Sequence, residues 1–211
     1  MPYLACLFVT HCCNSATRGT LWFFAFCAAW AGVAVALSQP PFYYSAERIG
    51  LYAFAGLLGI LATRIAGVWT DRVGARVVIL VGLALAVLAA ATLSLSLSNT
   101  AVTLICLGLF DAGLFAAQVA NQSTVLAINP SAPAQFNSAY MVVYFIGGSI
   151  GTAFGAAAVQ WWGWTATASI AAGAILLAAA VTVSCQGNVK AIRQCRKPVN
   201  GGPLTARAEK V

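Results

Sequence analysis

Residues Gly67–Arg76 read Gly-Val-Trp-Thr-Asp-Arg-Val-Gly-Ala-Arg. Its three charged residues lie between two long apolar stretches: residues 49–66 carry one charge, Arg64, and residues 77–110 carry none. Apolar runs of about 20 residues are long enough to cross a bilayer as helices. We therefore predict a tight turn at a membrane face, with one spanning helix on either side of it.

The composition of the whole chain agrees with a membrane location. Of 211 residues, 61% are hydrophobic and only 7% are charged, whereas a soluble domain carries about a quarter charged residues. The apolar runs are continuous and do not alternate with period two, so they favour helices over a transmembrane barrel. The net charge of +7 comes from basic residues beside apolar runs. We expect these to orient the chain at a lipid surface rather than to bind nucleic acid.

The apolar runs predict an all-α membrane protein with six transmembrane helices in residues 20–185. Their expected bounds are 20–38, about 49–68, 77–97, 101–128, 138–160 and 166–185. Residues 1–19 are expected to be a leader of unclear origin, with His11-Cys12-Cys13 too weak a pattern to predict a metal site. Residues 186–211 are expected to be a basic cytoplasmic tail, disordered in solution. Cysteines without paired spacing predict no disulfide framework.

Basic residues concentrate at one membrane face under this assignment. If the tail is cytoplasmic, Arg18, Arg72, Arg76 and the basic residues of the tail all lie inside, and Arg48 lies outside. Because basic residues flank cytoplasmic helix ends, both termini are predicted to be cytoplasmic. Six helices divide into two triplets, and an odd number of helices per triplet inverts the second. We therefore expect two inverted three-helix repeats.

The spacing Gly67-x-x-x-Asp71-Arg72-x-Gly74-x-Arg76 resembles the signature loop between the second and third helices of each half of the major facilitator superfamily. Three further segments look like the C-terminal half of bacterial drug-efflux-type members: Asn121-Gln122-Ser123, the Asn137–Gly148 series and Gly163-Trp164. Pro40-Pro41-Phe42 before Ile49-Gly50-Leu51 is similar too. The resemblance implies half of a twelve-helix facilitator fold, in a bacterial inner membrane, acting in proton-coupled efflux by alternating access.

For the loop itself, the resemblance implies a conformational latch. Gly67, Asp71, Arg72, Gly74 and Arg76 occupy the matching positions, and in the family the acid and the arginines hold one transport conformation. Asp71 can pair with one of the arginines or accept hydrogen bonds from a helix N-terminus. The alternative is a solvated turn that only sets topology.

Asp111 is the single acid inside a predicted span. Because a carboxylate at mid-membrane is costly, we expect it to face protein or water and to be a proton or substrate site. Gln118 and Gln122 fall within about 20° of it around a helix of 3.6 residues per turn. These three predict one polar stripe along a cavity. The alternative is an interhelical hydrogen bond that only fixes packing.

The fifth predicted span has a polar half and a glycine half. Asn137, Tyr140 and Tyr144 share one face and are further cavity candidates, although tyrosine also suits a membrane interface where its hydroxyl meets water. Gly147, Gly151 and Gly155 recur every four residues, which predicts close packing against another helix.

The sequence contains no enzyme signature, so we predict no catalytic residue, no cofactor and no metal. The expected partners are the lipid bilayer, a small-molecule substrate and protons. Two hypotheses follow. The chain is the C-terminal half of a proton-coupled exporter, which needs a missing N-terminal half or a second copy. Alternatively, it is a six-span membrane protein without transport activity, or an inactive fragment, that acts only in assembly.

Overall fold

The structure is a computed structural model that describes residues 2–129 and 131–195, with side chains at 13–129 and 131–184. Every regular element in these residues is helical. In chain order they are α1 (Pro2–Ser38), α2 (Ala46–Leu51), a 3₁₀ helix (Tyr52–Gly56), α3 (Leu57–Val73), α4 (Ala75–Leu95), α5 (Thr100–Leu126) and α6 (Pro133–Cys195).

Five helical stretches of the described residues are long and apolar enough to cross a membrane. They are Cys13–Ser38, Ala46–Val73, Ala75–Leu95, Thr100–Leu126 and Pro133–Ser184. The last contains 52 residues and therefore covers both the fifth and the sixth predicted span. The expectation of a helical membrane protein is confirmed at this level.

Both ends of the helical region extend further than the sequence predicted. Helix α1 begins at Pro2 rather than at Thr20, because a proline is tolerated in the first turn and no later residue interrupts the run. Helix α6 continues to Cys195, which is ten residues into the expected tail (186 to 195). The rest of that tail, residues 196–211, lies outside the described residues, so its disorder stays a prediction.

The predicted tight turn between the second and third spans is a single residue. Helix α3 ends at Val73, α4 begins at Ala75, and Gly74 between them has φ of 88°. A side chain is disfavoured at such an angle, which glycine adopts at little cost. The carbonyl of Thr70 accepts a hydrogen bond from the Gly74 amide and closes the last turn of α3.

Helix α1 packs mainly against the first part of α6, and the two run in the same direction. A Cβ atom on Gly147 would meet Thr20, one on Gly151 would meet Phe24, and one on Gly155 would meet Ala28. In all three cases the nearest atoms include the backbone of α1. The glycines therefore lie where two helix backbones approach closely, as small residues do between membrane helices.

The direction of α6 changes at Gly163, whose φ of 81° and ψ of 173° are not helical. Beyond it, the indole of Trp164 donates to the carbonyl of Leu93 at the end of α4. Arg76 at the start of α4 donates to the carbonyl of Val183. Residues 164–183 therefore run antiparallel to α4 along most of its length.

Helices α4 and α5 form a second glycine contact. A Cβ atom on Gly82 would meet the carbonyl of Gly113, and one on Gly113 would meet the carbonyl of Gly82. The pair is antiparallel, so Ala75, seven residues before Gly82, lies level with about residue 120, seven residues after Gly113. The core of the bundle contains large buried side chains such as Trp22, Ile79 and Phe110. Helix α3 packs on α5 and exposes Leu57, Ile60, Leu61 and Ile65 on its outer side.

Candidate functional site

The segment Gly67–Arg76 contains an arginine that is hydrogen-bonded to α6 and an acid that is exposed. Arg76 is half-buried, and its Nη2 donates to the carbonyl of Val183 at 3.4 Å. Asp71 and Arg72 are exposed. Among the described residues, the side chain of Asp71 forms no hydrogen bond or ion pair. The pairing of Asp71 with Arg72 or Arg76 that the sequence suggested is therefore absent from this conformation of the described chain.

Two polar atoms near this loop are buried without a hydrogen-bond partner in the described part of the protein. They are Nη1 of Arg76 and the hydroxyl of Thr70. Gly67 has no atom within 4 Å of an added Cβ, so no close helix contact requires a glycine there. The segment Gly67–Arg76 thus contains two buried polar atoms whose hydrogen-bonding capacity is unused among the described residues.

Asp111 lies near the middle of α5 and is 1% exposed. The indole Nε1 of Trp30 on α1 donates a hydrogen bond to its Oδ1 at 2.9 Å. A Cβ atom on Gly56 would lie 3.4 Å from its Oδ2, and one on Gly59 would lie 3.4 Å from its Cβ. The second span therefore passes directly beside this carboxyl group, at the point where its 3₁₀ segment changes to an α-helix.

A second polar group lies closer to the end of the bundle that carries the 67–76 loop. The guanidinium of Arg18 donates to Asn121 Oδ1 at 2.6 Å, to Ser15 Oγ at 3.1 Å and to Thr124 Oγ1 at 3.2 Å. Asn121 Nδ2 donates to the hydroxyl of Tyr140 at 3.1 Å. We call Ser15, Arg18, Gln118, Asn121, Thr124 and Tyr140 the Arg18 cluster; it joins α1, α5 and α6.

Gln118 belongs to this cluster because its Oε1 accepts a hydrogen bond of 2.7 Å from the hydroxyl of Tyr140. Gln122 is directed elsewhere, and its Nε2 donates to Asn137 Oδ1 at 3.0 Å. The structure therefore does not join Asp111 to Gln118 or Gln122, although all three lie on α5. Asp111 and Asn121 are ten residues apart, which separates their Cα atoms by about 15 Å along the helix.

Tyr144 has an apolar environment. Its ring stacks on Phe23 with centroids 3.9 Å apart, and its side chain is buried. Between Asp111 and the Arg18 cluster lies a pocket of about 20 Å³ that is open on one side. Six side chains from α1, α5 and α6 line it: Trp22, Phe23, Phe26, Leu114, Phe115 and Tyr144. We call it the aromatic pocket.

Sequence reasoning missed the partners of its own candidates. Arg18 was used only for orientation, although a charged residue inside a long apolar helix is itself a signal for a buried polar contact. Trp30 gave no such signal, because its role depends on where α1 meets α5. The side chains of His11 and Cys12 lie outside the described residues, and Cys13 is an exposed free thiol.

The comparisons with known proteins agree with the helical membrane fold. A family model described as Major Facilitator Superfamily matches residues 6–193. A probable transporter from Streptomyces coelicolor is 32% identical over 154 residues, which is 72% of this chain and 36% of the relative. A putative uncharacterized transporter from Escherichia coli strain K12 is 32% identical over 151 residues, which is 71% of this chain and 38% of the relative. The chain thus spans little more than a third of the length of these relatives.

Proposed function

We propose a transport function for this chain, because it belongs to the Major Facilitator Superfamily of membrane transporters. It is a multi-pass membrane protein. We infer more specifically that it forms one half of a secondary active transporter that exports a small molecule in exchange for protons. The buried carboxyl group of Asp111, which is 1% exposed and is the only buried acid among the described residues, is the observation that carries this proposal.

Six membrane spans, in place of five, are part of the proposal. A straight helix of 52 residues would be about 78 Å long at 1.5 Å per residue, against about 30 Å for the hydrocarbon core. The non-helical Gly163 and the opposite directions of its flanking segments support two spans in this stretch. Two inverted triplets then fit the order of the spans, although their arrangement as repeats rests on topology alone.

The proposed orientation puts both termini in the cytoplasm of a bacterium, with the chain in the inner membrane. Arg18, Arg76 and the end of the last span lie toward one end of the bundle, and Arg48 lies near the other. Concentration of basic residues at one face supports a cytoplasmic location for that face.

In the proposed mechanism, Asp111 takes up and releases the coupling proton. Because an acid inside a membrane span is costly, it is a candidate for such a functional role. The Trp30 indole donates to Asp111 Oδ1, and protonation of the carboxylate weakens that bond between α1 and α5. Rocking of this half against a second half would then expose the site to each side in turn.

The 67–76 loop is the proposed conformational latch, with Gly67, Asp71, Arg72, Gly74 and Arg76 as its residues. Its unpartnered buried atoms, Arg76 Nη1 and Thr70 Oγ1, support a second conformation in which they gain partners. The partner half is either a separate six-helix segment or a second copy of this chain. Gln118, Gln122, Asn137, Tyr140 and Tyr144 would line or support the route between the halves, and Gly147, Gly151 and Gly155 would hold α1 and α6 together.

Proton exchange in everted membrane vesicles tests this proposal. The vesicles are acidified inside by respiration, the pH gradient is followed with the fluorescent amine ACMA, and a panel of small solutes is added one at a time. We expect some solute to dissipate the gradient in vesicles with the native chain and not in vesicles with Asp111→Asn. Glu47→Gln makes the same chemical change at an exposed acid and should leave the response intact.

A response of equal size in native and Asp111→Asn vesicles would remove Asp111 from the mechanism.

A specific observation favours a second function, that of a six-span protein that acts only in assembly. The Trp30–Asp111 hydrogen bond is the interhelical contact that a packing role requires. Under that function, no solute moves protons in any oligomeric state, while Asp111→Asn still lowers the stability of the bundle.

A further inference from the structure

We propose that the aromatic pocket binds an uncharged aromatic molecule through a hydrogen-bond acceptor such as a carbonyl oxygen. As a statement about the class of substrate, this rests on the proposed transport function, whereas binding itself does not. The pocket lies between α1, α5 and α6, separate from Asp111 and from the Arg18 cluster.

The unsatisfied donor in this region is the indole of Trp22. Its side chain is 1% exposed, and among the described residues its Nε1 has no acceptor in hydrogen-bonding geometry, although the side chain of Tyr144 lies close by. A buried N–H without a partner costs about 1–3 kcal/mol. An acceptor that enters the pocket recovers that cost, so the pocket favours ligands that have one.

The walls of the pocket explain why the ligand should be aromatic. Phe23 stacks on Tyr144, and Phe26 meets Phe115 edge to face at a centroid distance of 5.6 Å. Ring pairs in these geometries add about 0.5–1.5 kcal/mol beyond the burial of their area, and a ring in the ligand can extend the stack. The volume of about 20 Å³ fits the acceptor group, and the ring of the ligand would lie where the pocket is open.

The charges around the pocket argue against a cation or an anion. All six lining side chains are uncharged. The nearest carboxyl group, Asp111, is 1% exposed and already accepts the Trp30 bond on Oδ1. Arg18 is directed toward Ser15, Asn121 and Thr124. An ion in this pocket would therefore lose its hydration without gaining a counterion, which is costly.

Three probes built on one planar bicycle separate these possibilities. 1-Indanone has a carbonyl acceptor, indane has the same rings without it, and protonated 2-aminoindane adds a positive charge. The chain is labelled with ¹⁵N at its six tryptophans, reconstituted in nanodiscs, and titrated with each probe while the indole N–H resonances are recorded by NMR. Trp22→Phe assigns the Trp22 signal, and the Trp30 signal, bonded to Asp111, is an internal control.

We expect 1-indanone to move the Trp22 resonance downfield in a saturable manner, with about fivefold tighter binding than indane, as one hydrogen bond provides. The Trp30 resonance should stay in place. In Trp22→Phe, the preference for indanone over indane should disappear. If that variant does not fold, Leu114→Phe, which fills the pocket and keeps the indole, should abolish the saturable shift.

Three results overturn the proposal: equal binding of indanone and indane, tighter binding of 2-aminoindane, or no saturable Trp22 shift up to the solubility of the probe. The last would mean that the pocket holds water only. Since this experiment measures binding without a proton gradient, it can succeed while the vesicle assay shows no transport, and the two failures are distinguishable.

Discussion

Replacement of Gly155 by alanine should destabilise the bundle because its added methyl group meets the backbone of α1. A Cβ at this position would lie 2.7 Å from Cα of Ala28 and 2.8 Å from its carbonyl carbon, whereas carbon atoms normally approach no closer than about 3.5 Å. The two helices must therefore separate by about 0.8 Å, since a backbone atom cannot rotate away. Overpacking of this kind costs up to about 3 kcal/mol.

The change also gives a small gain, because alanine favours a helix over glycine by about 1 kcal/mol. The net effect expected for Gly155→Ala is thus a loss of about 2 kcal/mol. Gly173→Ala is the matched control, since no atom lies within 4 Å of an added Cβ there. It should gain about 1 kcal/mol, so the two variants should differ by about 3 kcal/mol in the free energy of unfolding.

Unfolding in mixed micelles of increasing SDS content, followed by tryptophan fluorescence, measures this difference. The sign of the change is the decisive quantity, because helix propensity alone predicts that both variants are stabilised. Equal shifts for Gly155→Ala and Gly173→Ala would refute the close approach of α1 and α6. A loss in both variants would mean that glycine itself, rather than its position, matters.

Two further stability predictions use the same assay. Tyr140→Phe removes the hydroxyl that donates to Gln118 Oε1 and should lower the free energy of unfolding by about 1–3 kcal/mol. The control Tyr43→Phe, at a side chain that is 72% exposed, should change it by no more than about 0.5 kcal/mol. A small effect of Tyr140→Phe would mean that the Arg18 cluster contributes little to stability. Gly163→Ala puts a side chain at φ of 81° and should cost about 1–3 kcal/mol, again against the control Gly173→Ala. A neutral Gly163→Ala would argue for a continuous helix there.

The sequence predicted where the helices are much better than where they end. An apolar segment inside a membrane forms a helix, because each of its backbone polar groups must find a hydrogen-bond partner within the segment. Helix ends need a local breaker. Gly74 is one, and it lies within the predicted 67–76 turn, but α3 continues to Val73 and α4 begins at Ala75, beyond the predicted bounds of about 68 and 77. Residues 2–19 contain no strong breaker, so α1 starts earlier than the apolar run alone indicates.

The candidate site was predicted only as a set of residues, without their partners. The helical period correctly placed Asp111 and Gln118 on one helix, but it carries no information on how far each neighbouring helix is shifted along its axis. That shift brings Trp30 to Asp111 and Tyr140 to Gln118. We attribute this axial shift to the glycine contacts, because two helix backbones can approach closely only where small residues face each other.

The distribution of these contacts identifies which part of the bundle can move. Lipid gives apolar helices no hydrophobic reason to associate, so close packing and hydrogen bonds hold them together. Helix α1 is joined to α6 by the glycine series and to α5 by the Arg18 cluster, which makes these three one rigid unit. Among the described residues, the second span is joined to α5 by a single side-chain hydrogen bond, from the Tyr52 hydroxyl to Thr100 Oγ1 at 3.5 Å, and by close contacts at Gly59 and Gly108. Displacement of this span would uncover Asp111, which lies beside Gly56 and Gly59, and it would also remove the contact between Gly59 and Phe115, a side chain that lines the aromatic pocket.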